Sequence, residues 1–321
     1  MIALRANGRT PISLSLLCSD VNNSCCLSEI SSLSPPLYCT RLSQNKGEET
    51  SFVELGGSWS QTGKDFVNIF KDFAFAISVS GNGRRIVIGT RPGGRNGLNR
   101  SDVRVFEKSE NDWVQVGRVF YTLDDKNYEI AVSISEDGTI IAVGEPGYDD
   151  MISDKKNVGR VLTFKHDGDD WTQLGDDGDI IGSETDDFMG DALSLSSDGS
   201  SIVVGARRAD RNGLVKNGYV SIYTLTGSSW SQVGHAIYGA NNYMFVGYSV
   251  DISSGGRIVA IGCERCGTVR IIEVKDSKLV QLGSDIPGKV SGDRFGCSVS
   301  LSSESTWLRL EHLVRSIIRM L

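Results

Sequence analysis

"DALSLSSDGSSIVVGARRAD" (residues 191–210) reads as two strands joined by a tight turn. Leu193 and Leu195 alternate with Ser194 and Ser196, the period of a strand with one apolar face. Ser197-Asp198-Gly199-Ser200 carries the Asp-Gly pair of a hairpin turn, which needs positive φ. Ile202-Val203-Val204 is apolar throughout, as in a strand buried on both faces, and it ends at Gly205. Nearly the same phrase occurs as "AISVSGNGRRIVIGTRPGG" (76–94), "AVSISEDGTIIAVGEPGYD" (131–149) and "YSVDISSGGRIVAIGCERC" (248–266). A fifth copy, "CSVSLSSEST" (297–306), breaks off.

A second phrase recurs between these copies: Trp59-Ser-Gln-Thr-Gly63, Trp113-Val-Gln-Val-Gly117, Trp171-Thr-Gln-Leu-Gly175 and Trp230-Ser-Gln-Val-Gly234, and then Leu279-Val-Gln-Leu-Gly283 with the tryptophan replaced. The anchors lie 49 to 59 residues apart, a step suited to a four-stranded unit and too long for a helical hairpin. Each unit adds a third alternating strand, such as Tyr219–Tyr223, and a polar turn before the tryptophan strand. A meander of this kind cannot bury both faces alone, whereas several copies do so by packing face to face around an axis. The fold expected is an all-β β-propeller of four-stranded antiparallel blades at about residues 73–118, 128–176, 188–235 and 245–284.

The repeated tryptophan is expected in the packing between blades, where one large ring per blade buries much apolar area. The glutamine two residues on is expected to bond a neighbouring backbone. The strand-one serines are small enough to let blades approach. With His166, His235 and His312 the only histidines, no serine has a base in a catalytic setting. Gly89, Gly144, Gly205 and Gly262 close the second strands and complete the structural anchors.

The totals narrow the classes. The chain has 321 residues, 37 of them glycine, and a net charge of −7, which disfavours nucleic acid as a partner. No apolar run approaches the roughly 18–20 residues of a membrane helix. "MIALRANGRTPISLSLLCSD" (1–20) has two arginines and then a short, serine-broken apolar run, a poor match to a signal peptide. Of the seven cysteines, Cys18, Cys25, Cys26 and Cys39 precede the repeats. Cys263-Glu-Arg-Cys266 has the spacing of half a zinc site or of a redox pair. No second pair completes four ligands, so two ordinary thiols in a loop are expected.

The composite phrase resembles the FG-GAP repeats of integrin α-subunit propellers, and more closely the short tandem variant of microbial and algal proteins. "DRFGCSVSLSSE" (293–304), "SIVVGARRAD" (201–210), "DVRVFEKSENDWVQVG" (102–117) and "KLVQLGSDIPG" (278–288) carry it. Phe-Gly itself is intact only at Phe295-Gly296, and the Gly-Ala-Pro element survives in part at Gly144-Glu-Pro146 and Gly205-Ala206. The resemblance implies a non-enzymatic, adhesion-like binding module, outside the cell or on its surface. It also implies a calcium loop between the first two strands. Here those turns offer at most two carboxylates each, too few for six to eight oxygens, so neither metal nor cofactor is expected. A separate acidic stretch with Asp149, Asp150 and Asp154 lacks alternate spacing and sits beside Lys155 and Lys156. It reads as a solvated loop, with a weak divalent site the alternative.

Antiparallel order puts the tight 1–2 and 3–4 turns on one face and the long 2–3 and 4–1 connections on the other. Binding is expected on the long-loop face. Its candidates are Arg91, Arg95 and Arg100, then Tyr148, Asp149 and Asp150, then Arg207, Arg208 and Arg211. This mixed charge suits a protein or carbohydrate partner. The rival reading is a propeller enzyme acting on glycans, with Asp72, Asp187, Asn242 and Asp293 near the channel mouth; as residues just before strand one, they also fit turn formation.

Residues 1–50 read as an irregular leader. Residues 51–63 supply the third and fourth strands of a fifth blade, whose first strand is expected from 294–302 at the other end of the chain. After 304 the repeat stops, and residues 305–321 place Trp307, Leu310, Val314, Ile317, Ile318 and Leu321 on one helical face. An amphipathic helix is expected there. Because the break falls mid-hairpin, the tail also fits foreign sequence from a truncated gene product without function.

Overall fold

The computed structural model describes residues 76–90, 101–110, 112–122, 128–175, 180–289 and 294–302 in full. It describes as backbone alone the strands Leu4–Ala6, Leu37–Ser43, Glu48–Leu55, Ser58–Gln61, the start of Ala74–Val79, Trp307–Glu311 and Ser316–Arg319. These residues form six antiparallel sheets. Four of the sheets are the expected blades, each running in chain order from strand one to strand four. The third blade, for example, consists of Ala192–Leu195, Ser201–Ala206, Tyr219–Thr226 and Ser229–Gln232. Its register pairs Leu193 with Val204 and Val204 with Ser221. The architecture is an all-β propeller.

Each of these blades also has a fifth, two-residue strand, such as Ile237–Tyr238, which pairs the start of strand three while strand four pairs its end. The outer strand is thus broken in two. The break falls at the glycine of the tryptophan phrase, where Gly117, Gly175, Gly234 and Gly283 all have positive φ, between 62° and 109°. A side chain at these positions would be strained, which explains why each copy of the phrase ends in glycine.

The core lies between blades. Ile140, Ala142 and Val161 of the second blade pack with Leu195, Ile202 and Val204 of the third. Val203, Val220 and Ile222 pack in turn with Val250, Val259 and Ile261 of the fourth. Trp171 and Trp230 take the expected place, and the Trp59 side chain lies outside the described residues. Trp171 is buried among Val87, Val103 and Val105 of the preceding blade. Its Nε1 donates to the Val116 carbonyl at 3.1 Å, and Trp230 Nε1 donates to Thr163 Oγ1 at 2.8 Å, again one blade back. Gln115 Nε2 donates to a neighbouring backbone as expected, to the Gly117 carbonyl at 3.0 Å, whereas Gln281 Nε2 donates to a side chain, Asp285 Oδ1, at 2.9 Å.

Polar groups tie the same interfaces. Ser133 Oγ accepts from Leu195 N at 3.1 Å, and Ser194 Oγ donates to Asp251 Oδ1 at 2.7 Å, each across to the next blade. At the tight turns, backbone bonds run from blade to blade: Asn82 N to Glu136 O, Glu136 N to Ser197 O, and Ser197 N to Ser254 O, at 2.8 to 3.1 Å. Within a turn, Ser196 Oγ donates to Asp198 Oδ1 at 2.7 Å and accepts from Ser201 N at 2.9 Å. Serine begins each turn because its hydroxyl satisfies a buried backbone donor there.

Both ends of the chain depart from expectation. The described strands form no composite blade between residues 51–63 and 294–302. Glu48–Leu55 and Ser58–Gln61 are third and fourth in a sheet whose first two strands, Leu4–Ala6 and Leu37–Ser43, come from the segment read as an irregular leader. Ser298–Leu301 pairs with Trp307–Glu311, which pairs with Ser316–Arg319. Where an amphipathic helix was expected, these two segments are strands. A free strand edge is met first by the segment that follows it closely, since closing a short loop costs less entropy than joining the two ends of the chain. A short apolar run also fits either period, so spacing alone did not separate helix from strand.

Candidate functional site

On the long-loop face, a cavity of about 750 Å³ opens between the third and fourth blades. Its wall holds Arg207 and Arg208 after strand two of the third blade, and Phe245 and Tyr248 around the start of the fourth. The turn Glu264-Arg265-Cys266-Gly267, then Pro287, Gly288 and Arg294, complete it. The repeat explains why these side chains converge. Gly205 and Gly262 are the last but one residues of their second strands, and the residues just beyond stand against the start of the next blade's first strand, near Gly247 or Gly296. Glycine at both positions lets the backbones touch: a Cβ on Gly247 would lie 3.1 Å from Gly205 Cα.

Among the described residues, four guanidinium groups share this wall with one carboxylate. Arg294 Nε lies 3.4 Å from Glu264 Oε1. Arg265 lies over the Phe245 ring at 5.3 Å. Behind the wall, the buried Asp191 carboxylate lies 3.3 Å from Arg207 Nε and 3.8 Å from Arg208 Nε. Burial pushes the Asp191 carboxyl above its usual range, while Arg207 and Arg208 pull the other way. Arg207 also stacks on Tyr248 at 4.6 Å, and Arg208 on Phe188 at 5.2 Å. Burial, with Glu264 nearby, pushes the Tyr248 phenol up. Aromatic stacking and Asp191 thus orient the guanidiniums, and the cavity as a whole keeps an excess of positive charge suited to a carboxylate or phosphate.

The expected site residues are only partly brought together. Arg207 and Arg208 line the cavity. Arg211 has a different setting, where it pairs with the fully buried Asp187 and donates to Ser183 Oγ at 2.9 Å. Asp187 Oδ2 also accepts from Ser183 N at 3.1 Å, Glu184 N at 3.0 Å and the Tyr219 hydroxyl at 3.2 Å. Asp187 is therefore a turn anchor. Asn242 has the same kind of role, accepting from Val215 N at 2.8 Å. Asp72 and Asp293, like Arg91, Arg95 and Arg100, lie outside the described residues.

Tyr148, Asp149 and Asp150 sit on the second blade's loop and do not line the cavity. Tyr148 stacks under Arg160 at 4.1 Å, and Arg160 pairs with the buried Glu145 at 2.8 Å. Asp149 accepts from Asn157 N at 2.7 Å, and Asp150 from Ile152 N at 3.0 Å. The two carboxylates close their own loop.

Glu264, Arg265, Arg294, Tyr248 and Asp191 were not among the expected site residues. A signal existed in their register: each follows or precedes a repeat glycine by one to three positions. One expectation is corrected outright, since Cys263 and Cys266 form a disulfide across the turn, with Cα atoms 5.3 Å apart. A hairpin turn this short brings the two side chains together, which two-residue spacing in an open loop does not require.

The fold and the cavity define a β-propeller with an arginine-lined site between two blades. No protein-family model and no curated protein matches the sequence. Solved structures do match. A putative 6-phosphogluconolactonase from Bacteroides fragilis is 13% identical with a TM-score of 0.58, over 88% of this chain and 76% of that one. The periplasmic gluconolactonase PpgL of Pseudomonas aeruginosa is 15% identical with a TM-score of 0.57, over 86% and 78%. The hydrazine synthase of Kuenenia stuttgartiensis is 16% identical with a TM-score of 0.57, over 88% and 80%. At these identities the likeness is one of fold. It supports the propeller and not FG-GAP in particular. All three neighbours carry the names of enzymes, so the comparisons point away from the non-enzymatic, adhesion-like module that the resemblance implied.

Proposed function

We propose that the chain is a propeller hydrolase that opens an anionic, sugar-derived ester or lactone in the cavity between its third and fourth blades. The observation that carries this reading is the grouping of Arg207, Arg208, Arg265 and Arg294 with the carboxylate of Glu264 in a cavity of about 750 Å³. Hydrolysis of a lactone needs a base to take a proton from water and positive charge where the carbonyl oxygen becomes negative. Glu264 is the base in this reading. The arginines hold the substrate's acidic group and stabilise the oxyanion. The names of two of the fold neighbours, a 6-phosphogluconolactonase and a gluconolactonase, agree with this substrate chemistry. A carbohydrate-derived ligand also agrees with the carbohydrate partner expected on the long-loop face. The FG-GAP-like phrase serves in this proposal as the device that brings consecutive blades into glycine contact.

The test is hydrolysis of aldonic acid lactones, with and without a phosphate group, by the full chain. Glu264→Gln is expected to lower kcat by about 100-fold or more, the usual weight of a general base, with little change in KM. Arg265→Ala is expected to raise KM. A full-length, folded protein without activity on any of these lactones would overturn the proposal.

A further inference from the structure

We propose that the Cys263–Cys266 disulfide is a thiol–disulfide exchange site, and that its redox state controls the cavity wall. This rests on the cavity reading above only for its consequence and not for its chemistry. The pair is separated by two residues, and those residues are Glu264 and Arg265, both of which line the cavity. The disulfide therefore clamps the turn that presents one carboxylate and one guanidinium to the ligand.

The two sulfurs are placed differently. Cys263 ends its strand, paired in register with Val246 and Thr268, and is 5% exposed. Cys266 is half-buried, packs against the core cluster that holds Cys263 and also lines the cavity, and in this proposal it is the sulfur that an incoming thiolate meets. Both sulfurs lie against the Met244 carbonyl oxygen, at 3.0 and 3.7 Å. The corresponding connections of the second and third blades, residues 145–159 and 206–218, are longer and closed by their own hydrogen bonds, such as Asp150 N to Lys155 O at 2.9 Å and Arg211 N to Leu214 O at 3.1 Å. The short turn has one such bond, Gly267 N to Glu264 O at 3.4 Å, and the disulfide adds a covalent tie across it.

The co-reactant is a small dithiol or a dithiol protein. One of its thiolates attacks Cys266 Sγ, the bond between the two cysteine sulfurs breaks, and Cys263 leaves as a thiolate that takes up a proton. The second thiol of the reductant then displaces Cys266. The reductant ends as a disulfide, and the protein gains two electrons and two protons as two thiols. Released from its clamp, the turn no longer fixes Glu264 and Arg265 against Arg294 and Phe245.

The experiment equilibrates the native full chain with dithiothreitol at graded ratios of reduced to oxidised reagent, then alkylates it. Mass spectrometry reads two added groups on the segment 258–270. Backbone hydrogen exchange over 262–268 and binding of inorganic phosphate are read on the same samples. Expected are reversible reduction with the propeller still folded, exchange over 262–268 that speeds up by about tenfold or more as protection is lost, and a phosphate Kd that rises by about tenfold. The Cys263→Ala/Cys266→Ala variant should match the reduced protein on both counts. A pair that reduces only when the chain is denatured would overturn the proposal and mark a buried structural cross-link. Reduction that leaves exchange over 262–268 unchanged would also overturn it. Faster exchange with no phosphate binding in either state would instead sustain the exchange site and count against the anion-binding cavity.

Discussion

Gly205 and Gly247 meet backbone to backbone across the third and fourth blades: a Cβ on Gly205 would overlap the Gly247 carbonyl oxygen. The same contact recurs at Gly144 with Gly190 and at Gly262 with Gly296. It sets how close consecutive blades come, and so how the cavity residues that follow each glycine face one another.

Gly205→Ala is expected to destabilise the protein by about 1–3 kcal/mol, since added volume meets backbone that cannot rotate away. Thermal denaturation reads this directly. Gly213→Ala is a useful contrast, because a Cβ there meets nothing within 4 Å and only its positive φ of 76° opposes the change. Its loss should be smaller.

Trp171→Ala should cost about 3–5 kcal/mol, as for other large buried aromatics. Trp171→Phe should cost less but still leave the Val116 carbonyl without the indole donor. Equilibrium denaturation in urea separates the two variants. Equal stability of Trp171→Ala and the parent chain would show that the ring does not hold the first two blades together.

Acid should weaken the fourth blade through Asp285. Arg270 bonds both Asp285 carboxylate oxygens at 2.8 Å and holds this carboxyl below its usual range. A depressed carboxyl stabilises the fold at pH values above its unfolded pKa of about 4, and that contribution is lost as pH falls through the lower folded value. Asp285→Asn should therefore be less stable than the parent at about pH 7, with the difference shrinking below about pH 4. Denaturation midpoints measured from neutral pH down to about pH 2 check the sign.

The cavity's charge predicts how it binds anions. Arg208→Ala should weaken phosphate binding by about tenfold or more, the loss of a charge-assisted contact. The parent's own affinity should fall as salt rises, because a half-open site is screened. Calorimetric titration at low and high ionic strength tests both. Affinity that ignores salt and the Arg208 substitution would place the anion elsewhere.

The propeller was legible because its causes are local and repeated. Alternation at Leu193–Leu195, the turn at Asp198-Gly199 and the apolar run Ile202–Val204 specify strands and turns within a short stretch. Repetition of a half-buried unit then leaves stacking as the way to bury it. Trp171 and Trp230 were legible for the same reason. The ends were not, since Trp307–Glu311 carries no repeat phrase and its apolar spacing suits two periods at once.

The blade, its four principal strands, the place of the tryptophan and the face on which long loops gather could all be read along the chain. All of these follow from contacts and turns written within one repeat. It took the folded molecule to bring Arg207 and Arg208 of one repeat to Glu264, Arg265 and Arg294 of the next stretch of chain around one cavity, and to join Cys263 with Cys266. The disulfide depends on the tight turn that brings its two cysteines together, and the cavity on the distance and rotation between neighbouring blades. Glycine contacts such as Gly205 with Gly247 set that geometry through space, and no spacing along the chain records it.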